Sequence, residues 1–321
     1  MILNDTLQLD WINKVSVENR KADKILVEKV IRALLLLEGL AQSGLSFIFK
    51  GGTAVMLLQG NPKRFSIDID IIVPEKQDFD KLFTKILHDT GFTRFEIQKR
   101  NTVSNIEKLH YKFFYNSTFK SGSNEDNILL DILIETSHYK NIIPVNIDSP
   151  FIQQQGTPVK VRIPSKEDIL GDKLTAFAPN TTGIPYEKSG FSMAMEIIKQ
   201  LYDIGNLFEE VKDIKVIAET FENIAKTEIQ YRNIPGNIQI VLDDIFQTGL
   251  CLSTRGKAGE GDFTALQNGI SQIKAYIFSE SFHIEKAIIY AARAVYCAKL
   301  IETGEYIFFR FENAEQVVNW S

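Results

Sequence analysis

Cysteine is close to absent: Cys251 and Cys297 are the two in 321 residues, and they form no CxxC pair. That excludes a disulfide framework, and both thiols read as reduced and buried in a cytosolic protein. Long apolar runs are missing as well. The greasiest stretch, IRALLLLEGLA at 31–41, carries Arg32 and Glu38 and is far shorter than the roughly 20 apolar residues of a membrane span. The opening residues MILNDTLQLDWINK place acids ahead of any basic-then-apolar pattern, so no secretory signal is expected. Histidine is scarce, and His88, His110, His138 and His283 show no HExxH spacing, which leaves zinc chemistry without support. GxSxG, Walker GxxxxGK[ST] and GxGxxG are all absent. A large excess of one charge is lacking too: 36 Lys+Arg against 41 Asp+Glu leave −5. The chain as a whole is therefore not a polyanion binder, although a local basic patch stays open.

What is present is ordinary globular material, 44% hydrophobic and 24% charged, in a length that suggests about two domains. Residues 21–43 carry Ile25, Leu26, Val30, Leu34 and Leu37 at helical spacing. A short strand at 47–49 runs into Gly51-Gly52-Thr53, which opens a helix through Leu58, and Gly60-Asn61-Pro62 closes it. Residues 66–73 alternate as a strand up to Pro74. A helix at 78–90 and strands at 93–100, 109–115 and 128–134 follow, with Ser121-Gly122-Ser123-Asn124 as turn material. From 165 onward the patterns are helical, at 166–177, 192–208, 214–231, 238–252 and 283–302, with one short strand candidate at 306–311. The class is α+β: a mixed-sheet domain over 1–164, then a helical C-terminal domain over 165–321.

The chemistry concentrates in FKGGTAVMLLQGNPKRFSIDIDIIV at 49–73. Adjacent glycines between a strand and a helix let backbone approach a ligand, and the free N–H groups of the helix start suit a phosphate. Taken alone, Gly-Gly-Thr reads more simply as a tight turn with Thr53 as a cap. Asp68 and Asp70, two apart on a strand, project to one face while Ile67, Ile69 and Ile71 fill the other. Paired carboxylates repel unless a cation sits between them, and an all-oxygen set suits Mg²⁺. Asp131, in LLDILIE, is out of pattern on an apolar strand and is the candidate third metal ligand, with Glu135 as the fallback.

The order KGGT, helix, RFSIDID and a later strand Asp resembles the DNA polymerase β-type nucleotidyltransferase superfamily. In its details it is similar to the AbiEii/AbiGii-type toxins of abortive-infection and toxin–antitoxin systems. The resemblance implies a nucleotidyltransferase-like mixed sheet carrying the acids, with helices closing over the nucleotide. It extends to SKEDILGDKLTAFA at 165–178, placing Lys173 at the family's lysine, and to KQLYDIGNLF at 199–208, placing Asp203 at the second acid of the family's RDLYDL helix. There Lys199 stands for the usual Arg and Gln200 for the first acid.

The resemblance implies an Mg²⁺-dependent enzyme, with two ions on Asp68, Asp70 and Asp131, that moves a nucleoside monophosphate from an NTP to an acceptor hydroxyl. Gly51, Gly52, Thr53, Arg64, Ser66 and Lys173 form the expected nucleotide-binding set; Arg64 is read as either a phosphate contact or a carboxylate partner. Asp203 is expected to orient Lys173 or to help deprotonate the acceptor. The implied acceptor is RNA, with the tRNA 3′ end foremost and protein as an alternative, and a separately encoded antitoxin is the implied partner. The rival reading is a non-catalytic nucleotide sensor or scaffold of the same fold. Arg94, Lys99, Arg100, Lys108 and Lys112 with Tyr111, Phe113 and Phe114 suggest either an RNA surface or a charged strand edge.

Overall fold

A computed structural model describes residues 1–98, 107–119 and 124–310. The sheet is built from β1 (Ile48–Lys50), β2 (Ile69–Val73), β3 (Arg94–Gln98), β4 (Glu107–Asn116) and β5 (Glu125–Ile134), in the order β1-β2-β5-β4-β3. The β2–β5 pair is parallel and the other pairs are antiparallel, so the sheet is mixed as expected. Strand β5 alternates buried and partly open residues along its length, with Leu130 and Ile132 facing the core and Asp131 on the open side. That is the period-2 pattern of a half-buried strand.

Helices α1 (Leu9–Glu18), α2 (Lys24–Gln42), α3 (Gly51–Gln59) and α4 (Phe79–Thr90) belong to this first half. Helix α2 starts where Asp23 caps the amides of Ile25 and Leu26, and it packs on α4 and β5 through a nearly all-buried apolar stretch. A separate hairpin, β6 (Ile142–Asn146) with β7 (Lys160–Pro164), was not expected from the sequence: β6 carries Pro144 and lacks alternation, and β7 alternates over only the four residues Lys160, Val161, Arg162 and Ile163.

Beyond Pro164 the regular elements are helices α5 (Lys166–Ala176), α6 (Ala194–Leu207), α7 (Ile214–Tyr231), α8 (Ile238–Ser253), α9 (Phe263–Ile273) and α10 (Ile284–Thr303), besides a two-residue-per-strand hairpin of β8 (Glu187–Lys188) and β9 (Phe191–Ser192). The strand expected at 306–311 does not form over 306–310. Those residues find no partner strand among the described residues, and Arg310 instead donates to the Phe208 carbonyl at 2.9 Å. Phe311, the turn residues Ser121, Gly122 and Ser123, and Lys99 and Arg100 lie outside the described residues.

Asp168 fastens the two halves. Its fully buried carboxylate accepts from the amides of Lys140 (2.6 Å) and Asn141 (3.0 Å) and from the Thr220 hydroxyl (2.6 Å). The apolar core is likewise continuous: Phe65, Phe151 and Phe278 pack with centroids 4.6–5.7 Å apart. Each buried Phe is worth about 1.5–3 kcal/mol.

Three members of the basic–aromatic stretch are committed within the fold, while Lys108 is exposed. Tyr111 and Phe113 are buried against Phe83, which leaves them no face for an RNA base. Arg94 lies over Phe114 and is bonded to Glu96 and Glu125, so its charge is already matched.

Candidate active site

The expected strand at 66–73 is shorter than its alternation suggests. Residues 66–68 are irregular because their backbone is drawn elsewhere: Phe65 N–H donates to the Tyr276 carbonyl (2.8 Å), Ser66 N–H to Met56 Sδ (3.1 Å), and the Asp68 carbonyl accepts from Thr53 Oγ1 (2.7 Å). Asp68 therefore sits on a pinned loop and Asp70 on β2 itself. Thr53 is fully buried and its hydroxyl is committed to the acid loop, so only its backbone is left to meet a phosphate.

The two glycines have separate steric reasons. Gly51 has φ +79°, and a Cβ there would lie 2.2 Å from Asp70 Oδ2; one on Gly52 would lie 2.5 Å from Ser66 Oγ and 2.8 Å from Arg64 Nη2. Their lack of side chains lets the helix start press against the acid strand. Gly51→Ala is expected to cost about 1–3 kcal/mol from positive φ alone and to displace Asp70, with a lowered Tm and lost transfer. A variant with wild-type melting and rate would show that this contact is not needed.

The register sets Asp131 directly beside Asp70 on the parallel β2–β5 ladder. Glu135, four residues further on, lies about 13 Å along the strand, bonded to the Tyr231 hydroxyl at 3.2 Å. Asp131 rather than the fallback is thus the neighbour of the pair. Across the next ladder stands His110, whose Nδ1 is 2.7 Å from Asp131 Oδ1. Sequence reasoning set His110 aside, since cross-strand pairing leaves no local trace.

Burial pushes the Asp70 carboxyl up to about 7, with Asp131 and then Asp68 adding to the effect. Asp68 is raised as well, chiefly by burial, with Lys199 opposing. Among the described residues no three His, Cys, Asp or Glu side chains converge closely enough to hold a metal ion as they stand. The fit of a divalent ion rests on the donor chemistry: three carboxylates on adjoining backbone, with Asp68 and Asp70 held away from their usual ionisation by burial and by Asp131.

Opposite the acids is a cationic wall. Arg64, the expected phosphate or carboxylate contact, takes the second role: Nε and Nη2 make a bidentate pair with Asp203, 2.7 Å each. Lys173 Nζ lies 2.8 Å from Asp203 Oδ2 and 2.9 Å from Gln200 Oε1. Burial alone would raise Asp203, but Arg64 and Lys173 outweigh it and hold the carboxyl below the usual range. With both oxygens occupied by cations, Asp203 is placed to orient Lys173 and poorly placed to take a proton. Gln200, the departure from the family pattern, still supplies Lys173 with an oxygen.

Two further cations were not anticipated. Lys199 lies over the Tyr276 ring at 4.3 Å, and burial together with Arg64 lowers its pKa. Lys50, the cross-strand partner of Asp70, pairs with Asp172 at 3.2 Å, which accepts from the Tyr139 hydroxyl at 2.5 Å. Burial opposes the charge on Lys50, yet Asp172, Tyr139 and Asp70 hold its pKa well above the ordinary lysine value. Gly51, Gly52, Arg64, Ser66, Asp68, Asp70, Lys173, Lys199 and Tyr276 together line a cleft of about 300 Å³.

Residues 35–272 match the family model described as "Nucleotidyl transferase AbiEii toxin, Type IV TA system", a span that includes every residue of this cleft except Tyr276. The chain belongs to this family. AbiEii membership makes it a nucleotidyltransferase of a toxin family and sets aside the non-catalytic scaffold reading. Among solved structures it is similar to MenT4, a nucleotidyltransferase toxin of Mycobacterium tuberculosis H37Rv, with 13% identity, a TM-score of 0.58, and coverage of 97% of this chain and 92% of that one. That likeness speaks for the fold. A candidate nucleotidyltransferase of H. pylori aligns at 17% identity and TM-score 0.49 over 88% of this chain and 98% of that one. None of the curated proteins matches the chain. No helix among the described residues is long and apolar enough to cross a membrane.

Proposed function

We propose that this AbiEii-family chain transfers a nucleoside monophosphate from an NTP to a hydroxyl of an RNA acceptor, the tRNA 3′ end foremost, using Mg²⁺. The observation that carries this reading is the pairing of Asp70 with Asp131 on adjacent strands, beside Asp68 and facing the Gly51-Gly52 helix start and Lys173. Asp68, Asp70 and Asp131 would hold two ions, which when bound activate the acceptor hydroxyl and neutralise charge on the phosphates.

The chain's own residues do the rest. The amides of Gly51 and Gly52 at the α3 start, with Ser66, Lys173 and Lys199, bind the triphosphate tail. Asp203 positions Lys173, and Arg64 braces Asp203 from the other side. The acceptor hydroxyl gives up its proton to solvent, its oxygen bonds to the α-phosphorus, the bond from that phosphorus to the bridging β-phosphate oxygen breaks, and pyrophosphate leaves on the cationic side. Residues 1–164 then act as the catalytic domain, with 165–321 supplying Lys173, Lys199 and Asp203 from the helices. In the cell the outcome is blocked translation, held in check by a cognate antitoxin.

The test incubates the protein with Mg²⁺, each α-labelled NTP in turn, and total RNA or cell extract. Label is expected in the tRNA band with at least one NTP and none after chelation of the metal. Label in protein bands would overturn the acceptor, and no product with any NTP would overturn the activity.

A further inference from the structure

A second cavity, of about 270 Å³, adjoins the cleft and shares Lys50, Asp172 and Ala176 with it. Its size is just below the roughly 300–1,000 Å³ of small-molecule sites, suited to part of one nucleotide rather than to a protein segment. Its position follows from the strands. Asp68 and Asp70 line the first cleft, while Ile72, the next residue on the same face of β2, lines the second. Leu133 on β5 and Glu135 just past its end continue beyond Asp131 into it. The second cavity therefore lies past the acids along β2 and β5, and Arg64, Lys173 and Lys199 line only the first cleft.

In-line phosphoryl transfer requires the attacking and leaving oxygens on opposite sides of the phosphorus. With the triphosphate tail on the cationic wall, the acceptor has to enter from the far side. We infer that the second cavity is the subsite for the terminal nucleotide of an RNA acceptor. The assignment rests on the transfer reading above and adds the place where the acceptor binds.

The lining fits a nucleobase. Ile72, Leu133, Ile184, Pro185 and Ile224 give apolar walls for its faces. Glu135, whose Oε2 accepts from the Tyr231 hydroxyl, presents a carboxylate to an edge amino or imino group. At the rim, Lys188 lines the cavity and pairs in the β8–β9 hairpin with Phe191, which is 74% exposed. A cation and an open aromatic ring there suit the phosphate and base of the preceding nucleotide.

Thr227→Trp, on the cavity wall and away from the acids, and Glu135→Gln test this. Steady-state transfer is measured against NTP and against the RNA that wild-type protein labels, alongside thermal melting of each variant. The KM for RNA is expected to rise at least about tenfold in Thr227→Trp, the equivalent of about 1.4 kcal/mol, and less in Glu135→Gln, with the KM for NTP unchanged in both. Should Thr227→Trp fail to fold, Glu135→Gln alone decides. An unchanged KM for RNA, or a rise in the KM for NTP instead, overturns the subsite. A wild-type protein that labels no RNA would instead overturn the transfer reading on which it rests.

Discussion

Asp70→Asn is expected to lower nucleotide transfer by at least about 10³-fold, the equivalent of several kcal/mol of lost charge stabilisation at the phosphorus. The same substitution is expected to make the metal-free protein more stable. Asp70 carries a carboxyl raised to about 7 by burial, Asp131 and Asp68, against about 3.9 in an unfolded chain. A folded value above the unfolded one means that stability from this group is complete at low pH and is lost as pH rises through about 7.

Wild-type protein without divalent ion should accordingly melt lower at pH 8 than at pH 6, and Asp70→Asn should remove much of that slope. With the opening of the cleft to solvent taken into account, the gain at pH 8 is about 1–2 kcal/mol, or a few degrees in Tm. Mg²⁺ should stabilise the wild type and leave the variant unmoved. Thermal melts at the two pH values, with and without Mg²⁺, check this. A variant no more stable than wild type at pH 8 would show that repulsion among the acids is not stored in the fold.

The second large effect is on folding. Asp203→Ala leaves Arg64 and Lys173 buried without their counter-charge, and breaking such a buried network by removing one partner costs about 3–5 kcal/mol. The melting temperature should fall by on the order of ten degrees, and Asp203→Asn, which keeps an oxygen for Arg64, should fall less. The damage extends to the acid loop, because Arg64 also donates to the Phe65 carbonyl at 2.8 Å, three residues before Asp68. Melting of Asp203→Ala within a degree or two of wild type would show that the triad does not brace the loop.

The sequence displayed what depends on neighbours along the chain. Alternation around Asp70 and Asp131 marked two half-buried strands, and the helical spacing at 166–177 and 214–231 marked helices close to those observed. What stayed hidden depends on pairing between distant segments. Asp131 beside Asp70, His110 against Asp131 and Lys50 against Asp172 are all products of strand register or of helix docking. Nothing near Arg64 announces that its partner is Asp203, 139 residues later. Residues 66–68 looked like strand because Ser66, Ile67 and Asp68 continue the alternation, yet tertiary bonds from Thr53, Met56 and Tyr276 bend them away. The α9 helix was missed because it sits among glycine-rich residues, with Gly256, Gly259 and Gly261 just before it.

The most direct measurement of the central claim is anomalous diffraction from a crystal grown with Mn²⁺ and a nonhydrolysable NTP. Two peaks within coordination distance of Asp68, Asp70 and Asp131, with the triphosphate against Gly51, Gly52 and Lys173, are predicted. A triphosphate bound elsewhere, or those three carboxylates turned apart around empty density, would contradict it.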